Sequence, residues 1–531
     1  MTGKNVRALR APLSLARLPF FPLPLVPMAL APVALALAAM HPEAAAQQMP
    51  PPGQALRQAS PPAVTRLAVQ APGPAGELVC DKAAPAPRPP AAPNADPMEV
   101  PTEETMEELA PAPAAAASAA HAAAAPAPSI RSLPSNGGYR IAIWGDSHLA
   151  ANFFGEEVAR LLNFPAGSAP DTLVPANMGR AGVRLPLRQS CVSPQWKYEL
   201  VYLGGEQAAA PGPGLVNMTA DQPGATLAWD VRRDAGAPGY ARVRILYQQT
   251  DAPLTVGISV DGGAEQEVAL HERAGPAVLE LAADRPMAQV KLRLVEGRLR
   301  FHGLELASPQ GDPAPPASSQ PGSPQQGAPQ PGRYVFDVFG YPGATVAGWK
   351  NADLGYLGAW FAQRPYQLVM LEFGTNEGNV KPFDLAAYRS TLSASVRNMK
   401  TLFPAAACVL ISPGDRGVLV PRSANLHRKG AAHGRKAAAR AKRTAAPDLY
   451  QYARIHAAIG RVQEEVAQEA GCTAWSMQDA MGGQGSAYAW ARQSPPLMAR
   501  DLIHFTAAGY RRLAQQFARD MGWSTPAAGT P

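Results

Sequence analysis

The chain has 531 residues and a formal charge of +7, long enough for two or more domains. Its 57 prolines and 47 glycines fall largely in blocks, which excludes one continuous fold. The basic balance suits anionic surroundings such as a cell envelope, but the densest basic stretch has no interleaved aromatics, so no nucleic-acid partner is expected.

The first 46 residues read as an export signal. Lys4, Arg7, Arg10 and Arg17 precede an apolar stretch over 18–40, and Ala44-Ala45-Ala46 offers a small-residue cleavage site. Pro19, Pro22, Pro24, Pro27 and Pro32 argue against a spanning helix. The mature chain is thus expected in the periplasm or outside the cell with no transmembrane span; an uncleaved signal would tether it to the membrane. Residues 47–135 are Pro/Ala-rich apart from an acidic island at 98–109, and are expected as a disordered linker.

Folded sequence begins at Tyr139. Ile141, Ala142, Ile143 and Trp144 form an apolar run ending in Gly145-Asp146-Ser147-His148, and helical spacing follows at Phe154, Val158, Leu161 and Leu162. This strand–turn–helix unit opens an α/β domain, first part 136–186. From 187 to 308 the period changes to two, as in Val243/Ile245/Tyr247, Val256/Ile258/Val260 and Val290/Leu292/Leu294, with Asp261-Gly262 as a hairpin turn. Six or seven short strands predict an inserted β-sandwich or jelly roll. A Pro/Gln/Gly/Ser-rich linker, 309–332, returns the chain to the α/β domain, second part 333–525.

There, 334–338, 366–373 and 407–412 read as strands. Asp384 caps a helix with Tyr388, Leu392, Val396, Met399 and Leu402 on its apolar face; another helix runs from about 447 to 470 and stops at Gly471; the last starts at Thr506 and carries Tyr510, Leu513, Phe517 and Met521. Alternating strands and helices imply a parallel sheet covered on both faces. Residues 420–446 carry clustered Arg and Lys and read as a flexible basic insert. The four cysteines, Cys80, Cys191, Cys408 and Cys472, suit disulfides in an exported chain. Cys408 and Cys472, both in expected strands of one domain, are the favoured pair. No Cys/His spacing resembles a zinc site, and neither metal nor cofactor is indicated.

Four short blocks carry the chemistry. Gly145-Asp146-Ser147-His148 puts a hydroxyl at the carboxyl end of a parallel strand, where open α/β sheets place their sites. Gly340-Tyr341-Pro342-Gly343-Ala344-Thr345 offers a glycine N–H after a strand, though an ordinary turn reads the same way. Gly374-Thr375-Asn376-Glu377 can aim an amide into the same cleft, or simply cap a turn. Asp501-Leu502-Ile503-His504 spaces a carboxylate and an imidazole by three, which suits one side of a helical turn.

In that order the blocks resemble the SGNH (GDSL-like) hydrolases. The resemblance implies a flavodoxin-like three-layer sandwich with a parallel sheet and ester hydrolysis through an acyl-serine. Carried over by position, Ser147 is the nucleophile, His504 the base and Asp501 its partner. The oxyanion hole is the Ser147 N–H, the Gly343 N–H and the Asn376 side chain. His148 after the serine, Gly-Thr-Asn-Glu in block three and the β-rich insertion resemble bacterial peptidoglycan O-acetylesterases. Ser412-Pro413-Gly414-Asp415-Arg416, and 481–486 with Trp490 after it, are similar to later segments of that group. The implied partner is an acetylated glycan, with the insertion resembling a carbohydrate-binding module. His148 is a candidate for the pocket floor, and Trp349, Trp475 and Trp490 for sugar stacking, although each tryptophan equally suits core packing. Competing readings are a glycan-binding wall protein without activity, which four intact blocks argue against, and an acetyltransferase or lipid esterase with the same triad.

Overall fold

The computed structural model describes residues 60–73, 76–80, 98–103, 105–106, 138–162, 172–233, 239–307, 333–421 and 447–523. The expected signal segment, most of the expected tether, the linker 309–332, and the basic insert beyond its first two residues lie outside them. In chain order the strands are β1 (Ala63–Ala68), β2 (Met98–Glu99), β3 (Gly138–Gly145), β4 (Thr172–Pro175), β5 (Gln189–Val192), β6 (Lys197–Leu200), β7 (Val216–Ala220), β8 (Thr226–Asp230), β9 (Arg242–Gln249) and β10 (Leu254–Val260). They continue with β11 (Gln266–Leu270), β12 (Gly275–Ala282), β13 (Gln289–Glu296), β14 (Leu299–Ala307), β15 (Arg333–Gly340), β16 (Leu368–Glu372), β17 (Ala407–Ser412), β18 (Val420–Pro421) and β19 (Thr473–Ser476). The helices are α1 (Ser147–Ala150), α2 (Phe153–Leu161), α3 (Ala347–Asn351), α4 (Leu354–Phe361), α5 (Leu385–Leu402), α6 (Gln451–Ala470), α7 (Met477–Met481), α8 (Ser486–Arg492) and α9 (Ala507–Asp520).

Five strands form a parallel sheet in the order β15-β3-β16-β17-β19. Alternation along β3 divides the core. Ala142 and Trp144 pack with Leu392, Val396 and Met399 of α5 and with Ile459, Val462 and Val466 of α6. Ile141 and Ile143 face the other way, onto Phe154 and Val158 of α2 and Leu513 and Phe517 of α9. Strands buried on both faces read as near-continuous apolar runs, and Leu368, Val369, Met370 and Leu371 are all buried, with buried Glu372 closing the strand at the site. The layers are therefore helix, sheet, helix, as the α/β expectation required. The caps also sit where expected: Asp384 accepts from Ala387 N, Thr506 accepts from Gly509 N, and Gly471 closes α6 with φ of 66°.

The register of this sheet positions the chemistry. Gly145 at the end of β3 pairs with Gly340 of β15 on one side and Glu372 of β16 on the other. The first three blocks consequently leave three adjacent strands at the same level.

The inserted unit is a sandwich of two sheets, β1-β12-β9-β14-β7-β6 with β4 also on β14, and β11-β10-β13-β8-β5. Leu227, Trp229, Val256, Ile258, Leu292 and Leu294 from one sheet meet Val243, Ile245, Leu279, Leu281, Phe301 and Leu304 from the other. Two sequence expectations need correction. The sandwich starts earlier than 187, because β4 at 172–175 already pairs with β14; four-residue strands such as β4, β5 and β6 are too short to display a period. Part of the expected disordered tether is also ordered. β1 lies parallel to β12, and Cys80 is joined to Cys191 by a disulfide. Proline-rich averages over 47–135 hid a proline-free AVTRLA segment able to pair with the edge of β12. The second disulfide joins Cys408 to Cys472 beside the paired strands β17 and β19.

The sandwich docks on the α/β unit through buried polar contacts. Trp144 Nε1 donates to Pro213 O at 2.9 Å and Trp360 Nε1 to Pro211 O at 2.9 Å. Arg364, 5% exposed, meets Glu305 of β14 and Asp337 of β15, and Leu173 N donates to Asp337. Among the described residues no helix is long and apolar enough to cross a membrane.

Candidate active site

Ser147 is the first residue of α1, separated only by the N-cap Asp146 from the strand that brings it to the sheet edge. Gly145 is required there by close approach: a Cβ would lie 2.5 Å from Glu372 Oε2 and 2.6 Å from its backbone oxygen. Asp146 is fully buried; it accepts from His148 N at 2.9 Å, and its own N–H donates to Glu372 Oε2 at 3.3 Å.

His504 arrives from the other end of the chain. Its Nε2 is 2.9 Å from Ser147 Oγ and its Nδ1 is 2.7 Å from Asp501 Oδ2. The Asp-x-x-His segment is not the helical turn that its spacing suggested. Leu502 adopts φ of 57°, and Asp501 Oδ1 accepts from both Ile503 N and His504 N at 3.0 Å. One carboxylate oxygen thus shapes the turn while the other holds the ring, fixing the tautomer with Nε2 facing the serine.

The electrostatics follow from these contacts. Burial pushes the Asp501 carboxyl up, but hydrogen bonds from the His504 ring and from the His504 and Ile503 backbone outweigh it and hold it well below the usual range. The hydrogen bond from Asp501 raises His504, opposed by burial. Asp146 is pushed up to about 6 by burial, and Glu372 well above its usual value by burial and then by the Asp146 charge.

Block two turns at Gly343, whose φ of 89° favours glycine, and Ala344 N donates back to Tyr341 O at 3.0 Å. Asn376 Nδ2 donates to Ala344 O at 2.8 Å and to Asp146 Oδ2 at 3.3 Å, so block three is hydrogen-bonded to blocks one and two. Glu377 closes block three, and its role was not legible in the sequence. It accepts from Val346 N at 2.8 Å and from Gly374 N at 3.1 Å, bracing the loops after β15 and β16 against each other. Burial pushes its carboxyl up to about 7. The insertion also reaches this region: Tyr202 hydroxyl lies 3.7 Å from the Cβ position of Gly343.

The four candidates for substrate contact are all buried. His148 is 2% exposed with Nδ1 3.2 Å from Tyr510 hydroxyl, and burial lowers it to about 3, followed by the His504 charge. It packs beside His504, with ring centroids 5.5 Å apart. Trp349 is 0% exposed and packs edge-on to Trp144. Trp475 is buried against Phe517, its Nε1 donating to Asp520 at 2.8 Å, and Trp490 is buried with Nε1 on Met481 O at 3.0 Å. None presents a face for a sugar. Short motifs signal where a tryptophan sits along the chain but not which side of a helix it occupies. Trp349→Ala is expected to destabilise the protein by about 3–5 kcal/mol, read as a lower urea midpoint, because it empties a buried site. A stacking platform would lose glycan affinity with little change in stability.

Among the described residues no group of three or more His, Cys, Asp or Glu could hold a metal ion. What the arrangement can do is acyl transfer: a hydroxyl against a base, the base against a carboxylate, and backbone and side-chain amides at the same sheet edge.

No curated protein is matched by this sequence. Among solved structures the chain is similar to a peptidoglycan O-acetylesterase at 19% identity, covering 73% of this chain and 92% of that one with a TM-score of 0.48. It is also similar to a family two carbohydrate esterase from Cellvibrio japonicus at 13% identity, covering 63% and 98% with a TM-score of 0.22. An acetyl xylan esterase matches at 13% identity, covering 35% and 81% with a TM-score of 0.23. Residues 309–512 match the model of the GDSL-like lipase/acylhydrolase family. That span includes Gly343, Asn376, Asp501 and His504 but not Ser147, which the insertion separates from them along the chain; the sheet register returns Ser147 beside the ends of β15 and β16, and His504 meets it by a hydrogen bond. Sequence blocks, three-layer fold and family model agree on a GDSL-like lipase/acylhydrolase domain over residues 309–512, with the chemistry of a carboxylic ester hydrolase.

Proposed function

We propose that the chain is a serine esterase that removes O-acetyl groups from a cell-wall glycan, peptidoglycan first. The observation that carries the mechanism is the unbroken hydrogen-bond chain from Ser147 through His504 to Asp501. Ser147 Oγ attacks the acetyl carbonyl while His504 Nε2 takes its proton; the tetrahedral intermediate collapses as His504 returns that proton to the departing sugar oxygen. Water, deprotonated by the same ring, then attacks the acetyl-serine and releases acetate.

Negative charge on the carbonyl oxygen is met by the N–H groups of Ser147 and Gly343 and by the Asn376 amide. Asn376 keeps its shorter bond to Ala344 and turns the weaker one, 3.3 Å to Asp146, toward the oxyanion. The glycan assignment is supported by the sequence resemblance in blocks one and three and by a β-sandwich placed where it borders Gly343 through Tyr202. We take the sandwich as a glycan-binding wall of the site. A basic, then apolar N-terminal segment and two disulfides support a periplasmic or secreted location.

The test is acetate release from O-acetylated peptidoglycan, beside acetylated xylan and a long-chain ester. Release from peptidoglycan with kcat/KM at least about tenfold above xylan is expected. Preference for the long-chain ester would instead identify a lipid esterase.

A further inference from the structure

Block three runs into a turn over Glu377–Asn379, and Arg416 reaches it by donating from Nη1 to Asn379 Oδ1. The next residue, Gly417, donates its N–H at 3.1 Å to Leu502 O, between Asp501 and His504. Arg416 therefore lies at the seam between the asparagine block and the acid–base turn. Its guanidinium stands over the Tyr452 ring at 3.9 Å, and Lys381 Nζ stands over the same ring at 4.9 Å. Among the described residues no carboxylate pairs with either cation. Arg416 Nε is enclosed and has no hydrogen-bond partner.

Two like charges gathered on one aromatic ring, with no carboxylate between them, are an arrangement that an anion would complete. A guanidinium offers paired donors matched to a carboxylate, and the aromatic ring holds its plane. The charge is felt at the reacting groups: Arg416 disfavours protonation of His504, while burial pushes the Arg416 guanidinium down and Asp501 partly opposes that by favouring its charged form. A structural staple to Asn379 alone would need neither Lys381 nor an exposed edge, and Lys381 and Asn379 are both exposed.

We propose that Arg416 and Lys381 form an anion-recognising rim of the ester site, selecting glycans that carry a carboxylate beside the ester to be cleaved. This rests on the esterase reading above and names its substrate class. The test uses soluble O-acetylated peptidoglycan fragments, as prepared and after conversion of their carboxylates to neutral amides. Wild-type kcat/KM for acetate release is higher on the carboxylated form, and the preference shrinks with added salt. Arg416→Gln and Lys381→Gln each lower the ratio of carboxylated to amidated kcat/KM by about tenfold, chiefly through KM. Equal losses on both forms would mean that the two residues only prop the loop, and an unchanged ratio would mean they do not meet the anion; either overturns the rim. If wild type releases acetate from neither form, the glycan-esterase reading fails on its own. Kd of the two preparations for Ser147→Ala then still tests the rim, which equal values overturn.

Discussion

Ser147→Ala is expected to lower kcat/KM on an aryl acetate by about 10⁴-fold or more while leaving thermal unfolding nearly unchanged. The hydroxyl oxygen is 2.9 Å from His504 Nε2, so its loss removes the attacking atom and one half-exposed hydrogen bond. A single such bond contributes about 1 kcal/mol to stability, too little to unfold the domain. Activity that remains should be slow attack by water, with His504 as base and the amides at Gly343 and Asn376 still in place. The same substitution should also abolish covalent labelling by a phosphonate ester, read as a mass increase confined to the wild-type chain. Full activity in the variant, purified free of other esterases, would remove Ser147 from the mechanism.

The blocks were legible in the sequence because each is a local event. A run such as Ile141–Trp144 followed by glycine announces a strand's end whatever surrounds it, and helix caps at Asp384 and Thr506 need only their own next turn. Long-range placement was not legible. That Gly145 pairs with both Gly340 and Glu372 decides which loops meet, and this register follows from how five strands order themselves rather than from any one of them. The role of Glu377 could not be read for the same reason, since its two partners belong to loops from β15 and β16. Trp349, Trp475 and Trp490 were ambiguous because large aromatics serve cores and binding sites alike, and only packing separates the two. β1 was lost in a compositional average, its partner β12 lying more than two hundred residues away.

Asp501→Asn is the substitution that separates the geometry of the acid–base turn from its charge. Asparagine can keep Oδ1 as the acceptor for Ile503 N and His504 N, so the turn can survive, but its NH₂ replaces the oxygen that accepted from the ring and can only donate to His504 Nδ1, which favours the tautomer with the proton on Nε2. What disappears is the negative charge that stabilises the imidazolium formed when Ser147 attacks, together with the acceptor that fixes the ring's tautomer, and a loss of about 10⁴-fold in kcat is expected on the plateau. The pH profile supplies a second readout with a definite sign. His504 must be neutral to act as base, and in the wild-type protein its affinity for a proton is raised above the ordinary value near 6.5, first by the hydrogen bond to Asp501. The acid limb of kcat/KM should therefore lie above pH 6.5, with activity rising as pH increases through it. Without the carboxylate, burial and the Arg416 charge are opposed only by more distant Asp146, so the limb should move toward lower pH. A variant with a lowered plateau and an unmoved limb would mean that the titrating base is not the ring held by Asp501. A limb that moves down while the rate falls is the outcome that a charge-stabilised His504 requires.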